Sequence, residues 1–239
     1  MASQVHVLFE ECMTAPQTTG GGSRIEALDW RALVKAHGRK LALAGGSVFL
    51  VAAAVWLWAT TSRRKEAFAG ERLTQARSAA EAGNLPLAAS DLSQLIERFG
   101  GTRAADDAVI LLNQIRLIQG QRDVAVSALQ QFVRMGRPDD VTASAYGLLG
   151  GGLEDQGKPL EAGEAYRQAA ARARLDYQQA QFLLDAGRAL AAGGDTGGAK
   201  QALTDLLTRF PETEQTAEAR VRLAELGGEA PEAPAARRR

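Results

Sequence analysis

Gly157 to Ala170 reads GKPLEAGEAYRQAA, and its pattern returns at a fixed distance on both sides. Steps of 37 residues from Gly157 land on Gly83, Gly120 and Gly194. Five residues after each glycine stands an alanine, Ala88, Ala125, Ala162 and Ala199, and nine after it a large side chain, Leu92, Leu129, Tyr166 and Leu203. A repeat of this length marks stacked supersecondary units, none of which buries its apolar face alone. The glycine supplies the left-handed residue that ends one helix. The alanine opens the next helix, where a small side chain lets two helices approach closely.

Further positions follow the same step. The residue seven before each glycine is Ala76, Asn113, Gly150 and Gly187, and the residue eleven before is Arg72, Val109, Tyr146 and Leu183. Seventeen after stand Gly100, Arg137, Arg174 and Pro211. This small-and-large pattern resembles the tetratricopeptide repeat over residues 66 to 226. Asn113 and Arg72 depart from it, only Pro211 supplies the family's proline, and the period of 37 exceeds the usual 34. The segment after Pro211, ETEQTAEARVRLAEL, matches the first helix of a fifth repeat and closes the apolar end of the stack.

The chain of 239 residues balances 28 basic against 28 acidic side chains, so no global field favours nucleic acid. Leu41 to Thr61, LALAGGSVFLVAAAVWLWATT, carries no charge. As a helix it is about 31 Å long, the thickness of a hydrocarbon core. Trp56 and Trp58 sit at one end of it as an interfacial belt, and Arg63, Arg64 and Lys65 follow. The expected organisation is a disordered lead (1–23), an amphipathic juxtamembrane helix (24–40), a transmembrane helix (41–61), a repeat domain (62–226) and a disordered tail (227–239). Flanking basic residues are nearly tied in number. The short N-terminal segment and the large C-terminal domain favour a cytoplasmic N-terminus, with the repeats on the far side of the membrane. The fold class predicted is all-α: one transmembrane helix, then an α-solenoid of four tetratricopeptide-like helix pairs and a C-terminal capping helix.

The composition argues against an enzyme. Cys12, His6 and His37 all precede the repeats, which leaves that domain no disulfide and no Cys/His metal site. No phosphate-binding glycine loop occurs, and no cofactor is expected. Pro86 and Pro159 fit the first turn of second helices. Asp106, Asp107, Asp139 and Asp140 read as first-turn residues that complement helix dipoles. Gly147, Gly150, Gly151 and Gly152 crowd one helix of the third repeat and mark close packing, a hinge or a partner contact.

The resemblance implies that the first helix of each repeat lines a concave protein-binding surface. Here that nominates Leu73, Arg77, Ile110, Gln114, Leu117, Ile118, Leu184 and Arg188, a surface of mixed apolar and cationic character. The layout of short head, single span and extracytoplasmic repeats is similar to the ancillary subunit family of the SecYEG translocon. That likeness implies a bacterial inner-membrane protein beside the secretion channel, with the translocon and periplasmic chaperones as partners and lipid around Leu41 to Thr61. A scaffold for cell-wall synthesis or division, or a non-catalytic subunit of a membrane-bound enzyme, shares the layout.

Overall fold

The structure, a computed structural model, describes the backbone of residues 30–231 and the side chains of residues 51–231. The lead 1–23, the start of the juxtamembrane helix and the tail beyond 231 lie outside the described residues. The chain divides into two compact units, residues 1–58 and 59–239. Among the described residues all regular structure is helical: α1 (Trp30–Glu81), α2 (Leu85–Phe99), α3 (Arg103–Ile118), α4 (Arg122–Val133), α5 (Asp139–Asp155), α6 (Pro159–Arg172), α7 (Asp176–Ala192), α8 (Thr196–Arg209) and α9 (Gln215–Glu225).

Residues 41–50 of the expected span lie where only the helical backbone is described. Among the described residues no helix is long and apolar enough to cross a membrane. Val51, Val55, Trp56, Leu57 and Trp58 are all more than half exposed.

In the second unit, the last part of α1 pairs with α2, and α3–α4, α5–α6 and α7–α8 follow as antiparallel pairs. Each pair turns at its repeat glycine. Gly83, Gly120, Gly157 and Gly194 have φ of +79°, +76°, +73° and +87°, left-handed values that would strain any side chain. Asn84, Thr102 and Asp195 cap α2, α3 and α8 by accepting from backbone N–H groups of Leu87, Ala105 and Gly198 at 3.3, 3.1 and 2.9 Å. Pro86 and Pro159 occupy first turns, where the missing N–H would have no partner within the helix.

The core runs along the stack as three clusters. The first joins Ala69, Leu73 and Ala76 to Leu92 and Ile115; the second joins Leu129 and Phe132 to Leu149 and Tyr166; the third joins Leu183, Leu203 and Leu206 to Leu223 on the terminal helix. Within a pair, the large residue of the second helix seats on the small residue of the first. A Cβ added to Gly150 would lie 2.6 Å from the Tyr166 ring, and one on Gly187 would lie 2.7 Å from Leu203. The same reasoning resolves the glycine-rich helix α5. A Cβ on Gly147 would meet Phe182 of α7 at 2.6 Å and one on Gly152 would meet Val126 of α4 at 2.8 Å, so both glycines are packing sites. Gly151 alone has nothing nearer than the Tyr166 hydroxyl at 3.7 Å.

Candidate functional site

Helices α1, α3 and α5, the first helices of three successive repeats, border a groove of about 280 Å³. Arg77, Ile110 and Gln114 line it, and with them three residues the sequence reading gave no binding role, Arg103, Asp107 and Asp140. These charges form a ladder across the helices. Arg103 donates to Asp107 at 3.3 Å and to Asp140 at 2.7 Å, while Arg77 lies 3.9 Å from Asp107. The short bond from Arg103 holds the Asp140 carboxyl below the usual carboxylate range, and the same bond raises Arg103 further. Asp107 and Asp140 thus tie repeats together, a use beyond the dipole role read from the sequence. The available signal was their spacing: Arg103 and Asp140 stand 37 residues apart, one repeat step.

The remaining nominated residues divide. Leu73 and Leu184 are each 5% exposed and belong to the core, so neither offers contact to a partner. Both fall on the inward stripe of their helices, a stripe that periodicity alone does not separate from the neighbouring groove face. Leu117 is half-buried beneath α5, 3.1 Å from where a Cβ on Gly152 would stand. Ile118 is exposed at the end of α3. Arg188 lies farther along the stack, 3.2 Å from both Glu154 and Asp185. Burial alone would lower its pKa, but the two carboxylates outweigh burial and raise it. Glu154 also accepts from the buried Tyr166 hydroxyl at 2.7 Å, and burial together with that bond pushes the phenol upward.

The expected apolar and cationic surface is therefore corrected. Arg77 and Arg188 are matched by carboxylates, and the groove presents alternating charge with Ile110 and Leu111 among its apolar contacts.

A second concavity of about 380 Å³ opens among α2, α3 and α4, lined by Ile96, Leu112, Asn113, Phe132 and Met135. Asn113 is 1% exposed and stands where the third and fourth repeats have glycine. Its amide donates to Val109 O at 2.8 Å and accepts from Arg116 at 3.1 Å. Helices α3 and α4 pack less extensively than α5 and α6, and Asn113 stands on α3 at the position that Gly150 holds on α5. Asp106 and Arg137 meet at the rim, 3.3 Å apart, and burial pushes the Asp106 carboxyl up despite that neighbour. Among the described residues no group of three or more His, Cys, Asp or Glu is placed to hold a metal ion.

A sequence model of the tetratricopeptide repeat matches residues 181–213, the stretch that holds Gly187, Gly194, Ala199 and Pro211. A tetratricopeptide repeat protein from Parabacteroides merdae ATCC 43184 is similar in structure over 66% of this chain, with a TM-score of 0.54 and 12% identity. The repeat unit has the tetratricopeptide fold. This chain spans 60% of that protein's length. The MamA protein is 17% identical over 66% of this chain and 86% of its own, with a TM-score of 0.49. No curated protein matches the chain. Stacked helix pairs of this kind present an extended concave surface suited to binding another protein.

Proposed function

We propose that this protein is a membrane-tethered interaction scaffold whose groove on α1, α3 and α5 holds an extended segment of a partner protein. The observation that carries this reading is the groove itself. Its charges come from three successive repeats and alternate along the stack, so they match the polar edges of an extended backbone while Ile110 receives an apolar side chain. The tether is the uncharged run Leu41 to Thr61, with the N-terminus cytoplasmic and the repeats beyond the inner membrane. By its layout we place the protein beside the Sec translocon, where it receives emerging chains and passes them to periplasmic chaperones.

A photo-reactive residue at exposed Gln114 tests the groove, with one at exposed Glu164 on α6 as the control. Adducts with translocon subunits or secretory chains from position 114 and not from 164 are the expected result. Adducts from both positions alike would remove the groove from the reading, and adducts only with cell-wall or division proteins would replace the translocon. Cys12 reports the tether's direction: in intact cells it should resist a membrane-impermeant thiol reagent, and ready labelling would reverse the topology.

A further inference from the structure

The cleft among α2, α3 and α4 is set apart by three residues of α3. Steps of 37 residues from Asp106 land on Ala69, Ala143 and Ala180, all of them buried in the core. The same steps from Asn113 land on Ala76, Gly150 and Gly187, and those from Arg116 on Ala79, Leu153 and Leu190. Positions that are apolar or glycine in every other repeat are therefore polar or charged in this one, and all three side chains line one cleft. Asp106 and Asn113 are 6% and 1% exposed, so both stand where desolvation opposes polarity. Breaks in a core stripe of this kind concentrate at functional or strained sites. In the third repeat the equivalents of Val109 and Met135 are Tyr146 and Arg172, which stack on each other at 4.9 Å. Val109 and Met135 leave the cleft open between them.

The charged side chains of the lining are Asp106, Arg116 and Arg137. Asp106 and Arg137 match each other at 3.3 Å. Arg116 is half-buried, and among the described residues no carboxylate lies within ion-pair distance of it. It donates to Asn113 Oδ1 at 3.1 Å, which leaves its charge unmatched. Glu97 of α2 is exposed and outside the lining. Arg116 follows Asp106 by ten residues on α3, a separation of about 15 Å along the helix. Ile96, Val109, Leu112, Phe132 and Met135 form the apolar wall of the cleft. The Ser93 hydroxyl is engaged by Ala89 O at 2.8 Å and the Asn113 amide by Val109 O at 2.8 Å. A peptide laid along this wall would face its N–H and C=O groups with side chains that offer no partner, whereas an acyl chain has no such groups to satisfy.

We propose that this cleft binds a medium-chain monocarboxylate, with the carboxylate on Arg116 and the acyl chain along Ile96, Val109, Leu112, Phe132 and Met135 towards the Asp106 and Arg137 pair. A largely apolar cleft of about 380 Å³ with a few convergent polar groups is of the kind that takes small ligands. The site rests neither on the groove of α1, α3 and α5 nor on the tether.

The test uses the full chain in phosphatidylcholine nanodiscs, with isotope-labelled methionine methyl groups read by magnetic resonance. Of the three methionines, Met135 lines the cleft, while Met1 and Met13 belong to the N-terminal lead and serve as controls for partitioning. Octanoate, below its micellar concentration, should move the Met135 signal saturably and leave Met1 and Met13 in place. Octylamine, with the same chain and the opposite charge, should not saturate it. Arg116→Gln should weaken octanoate about tenfold, the loss of a charge-assisted hydrogen bond, and Arg116→Lys should retain more of the affinity. Ala128→Leu fills the lining without altering a charge and should weaken octanoate as well. A Met135 signal that octanoate leaves unmoved overturns the proposal, and so does an equal response to octylamine. Full affinity in Arg116→Gln overturns the carboxylate's placement. Tighter binding of the tripeptide acetyl-leucyl-alanyl-leucine than of octanoate overturns the ligand class, since it would make the cleft a site for a partner's C-terminus.

Discussion

Gly150 and Gly151 are neighbours on α5, yet their replacement by alanine should act in opposite directions. In a helix interior the exchange favours alanine by roughly 0.5–1 kcal/mol. At Gly151 nothing opposes that gain, because the nearest atom is the Tyr166 hydroxyl at 3.7 Å from the new methyl group. At Gly150 the methyl would stand 2.6 and 2.8 Å from three carbons of the Tyr166 ring. The ring cannot swing away, since Tyr166 is 6% exposed and its hydroxyl is bonded to Glu154 at 2.7 Å. Overpacking of this kind costs roughly 1–3 kcal/mol.

Gly151→Ala should therefore raise stability by up to about 1 kcal/mol, a shift of about 2–4 °C in Tm for a domain of this size. Gly150→Ala should lower it by up to about 2 kcal/mol. Circular dichroism of the two variants, melted under one set of conditions in mild detergent, reads the difference. Combining Gly150→Ala with Tyr166→Leu should recover about 1 kcal/mol relative to the sum of the single changes, because the clash partner is gone. Equal shifts of the same sign at 150 and 151 would refute the packing of α5 on α6.

Ala162→Leu should destabilise the third repeat by roughly 1–3 kcal/mol, since Ala162 is wholly buried where α5 and α6 approach; an unchanged Tm would contradict the repeat alignment. Arg188→Glu should lower Tm and shorten the pre-transition baseline, because it sets a third carboxylate beside Glu154 and Asp185, whereas Arg188→Gln should cost less. Asp106→Asn should leave stability at pH 7 unchanged or higher. Burial raises the Asp106 pKa, so its folded form holds the proton more readily than the unfolded chain, and the cost of its charge is fully present above the folded pKa. Relative to the variant, the parent should gain stability as pH falls through the folded pKa towards the ordinary carboxylate value, and a parent that loses ground there would show that Arg137 outweighs burial. Asp140 works with the opposite sign, its pKa being lowered, so Asp140→Asn should remove a contribution that is present at neutral pH and lost as pH falls below the ordinary carboxylate range.

The stack itself was legible because two steric demands repeat at one spacing. A left-handed turn needs glycine, and a close helix crossing needs a small residue facing a large one; Gly157, Ala162 and Tyr166 meet both, and the structure places them so. The terminal helix was legible for a similar reason, since Thr216, Ala219 and Leu223 form one buried stripe. The groove was legible only in part. Helical periodicity identifies an apolar stripe but not where core gives way to concave surface, so Leu73 and Leu184 fit a groove-lining pattern in sequence and yet lie inside. The charge ladder was missed because each member looked complete by itself: Asp107 and Asp140 already had a local role at a helix start, and only the partner one repeat away shows the second use.

Three departures from the repeat pattern, Asn113, Arg137 and Arg174, stand at a cleft or at a turn between repeats. Asn113 replaces the small residue that closes a pair, and the pair it belongs to borders the 380 Å³ cleft. Arg137 and Arg174 replace the proline that follows a second helix, and both lie at turns between repeats, one held by Asp106 and the other exposed. Where the pattern is kept most fully, from Gly187 through Pro211, the sequence matches the repeat model and the pairing is closed. The residues that break the repeat thus differ in role from those that keep it: the conforming ones set the stack, while the exceptions shape the cleft and the turns between repeats. That division explains why the fold could be read from the sequence more readily than the surfaces it presents.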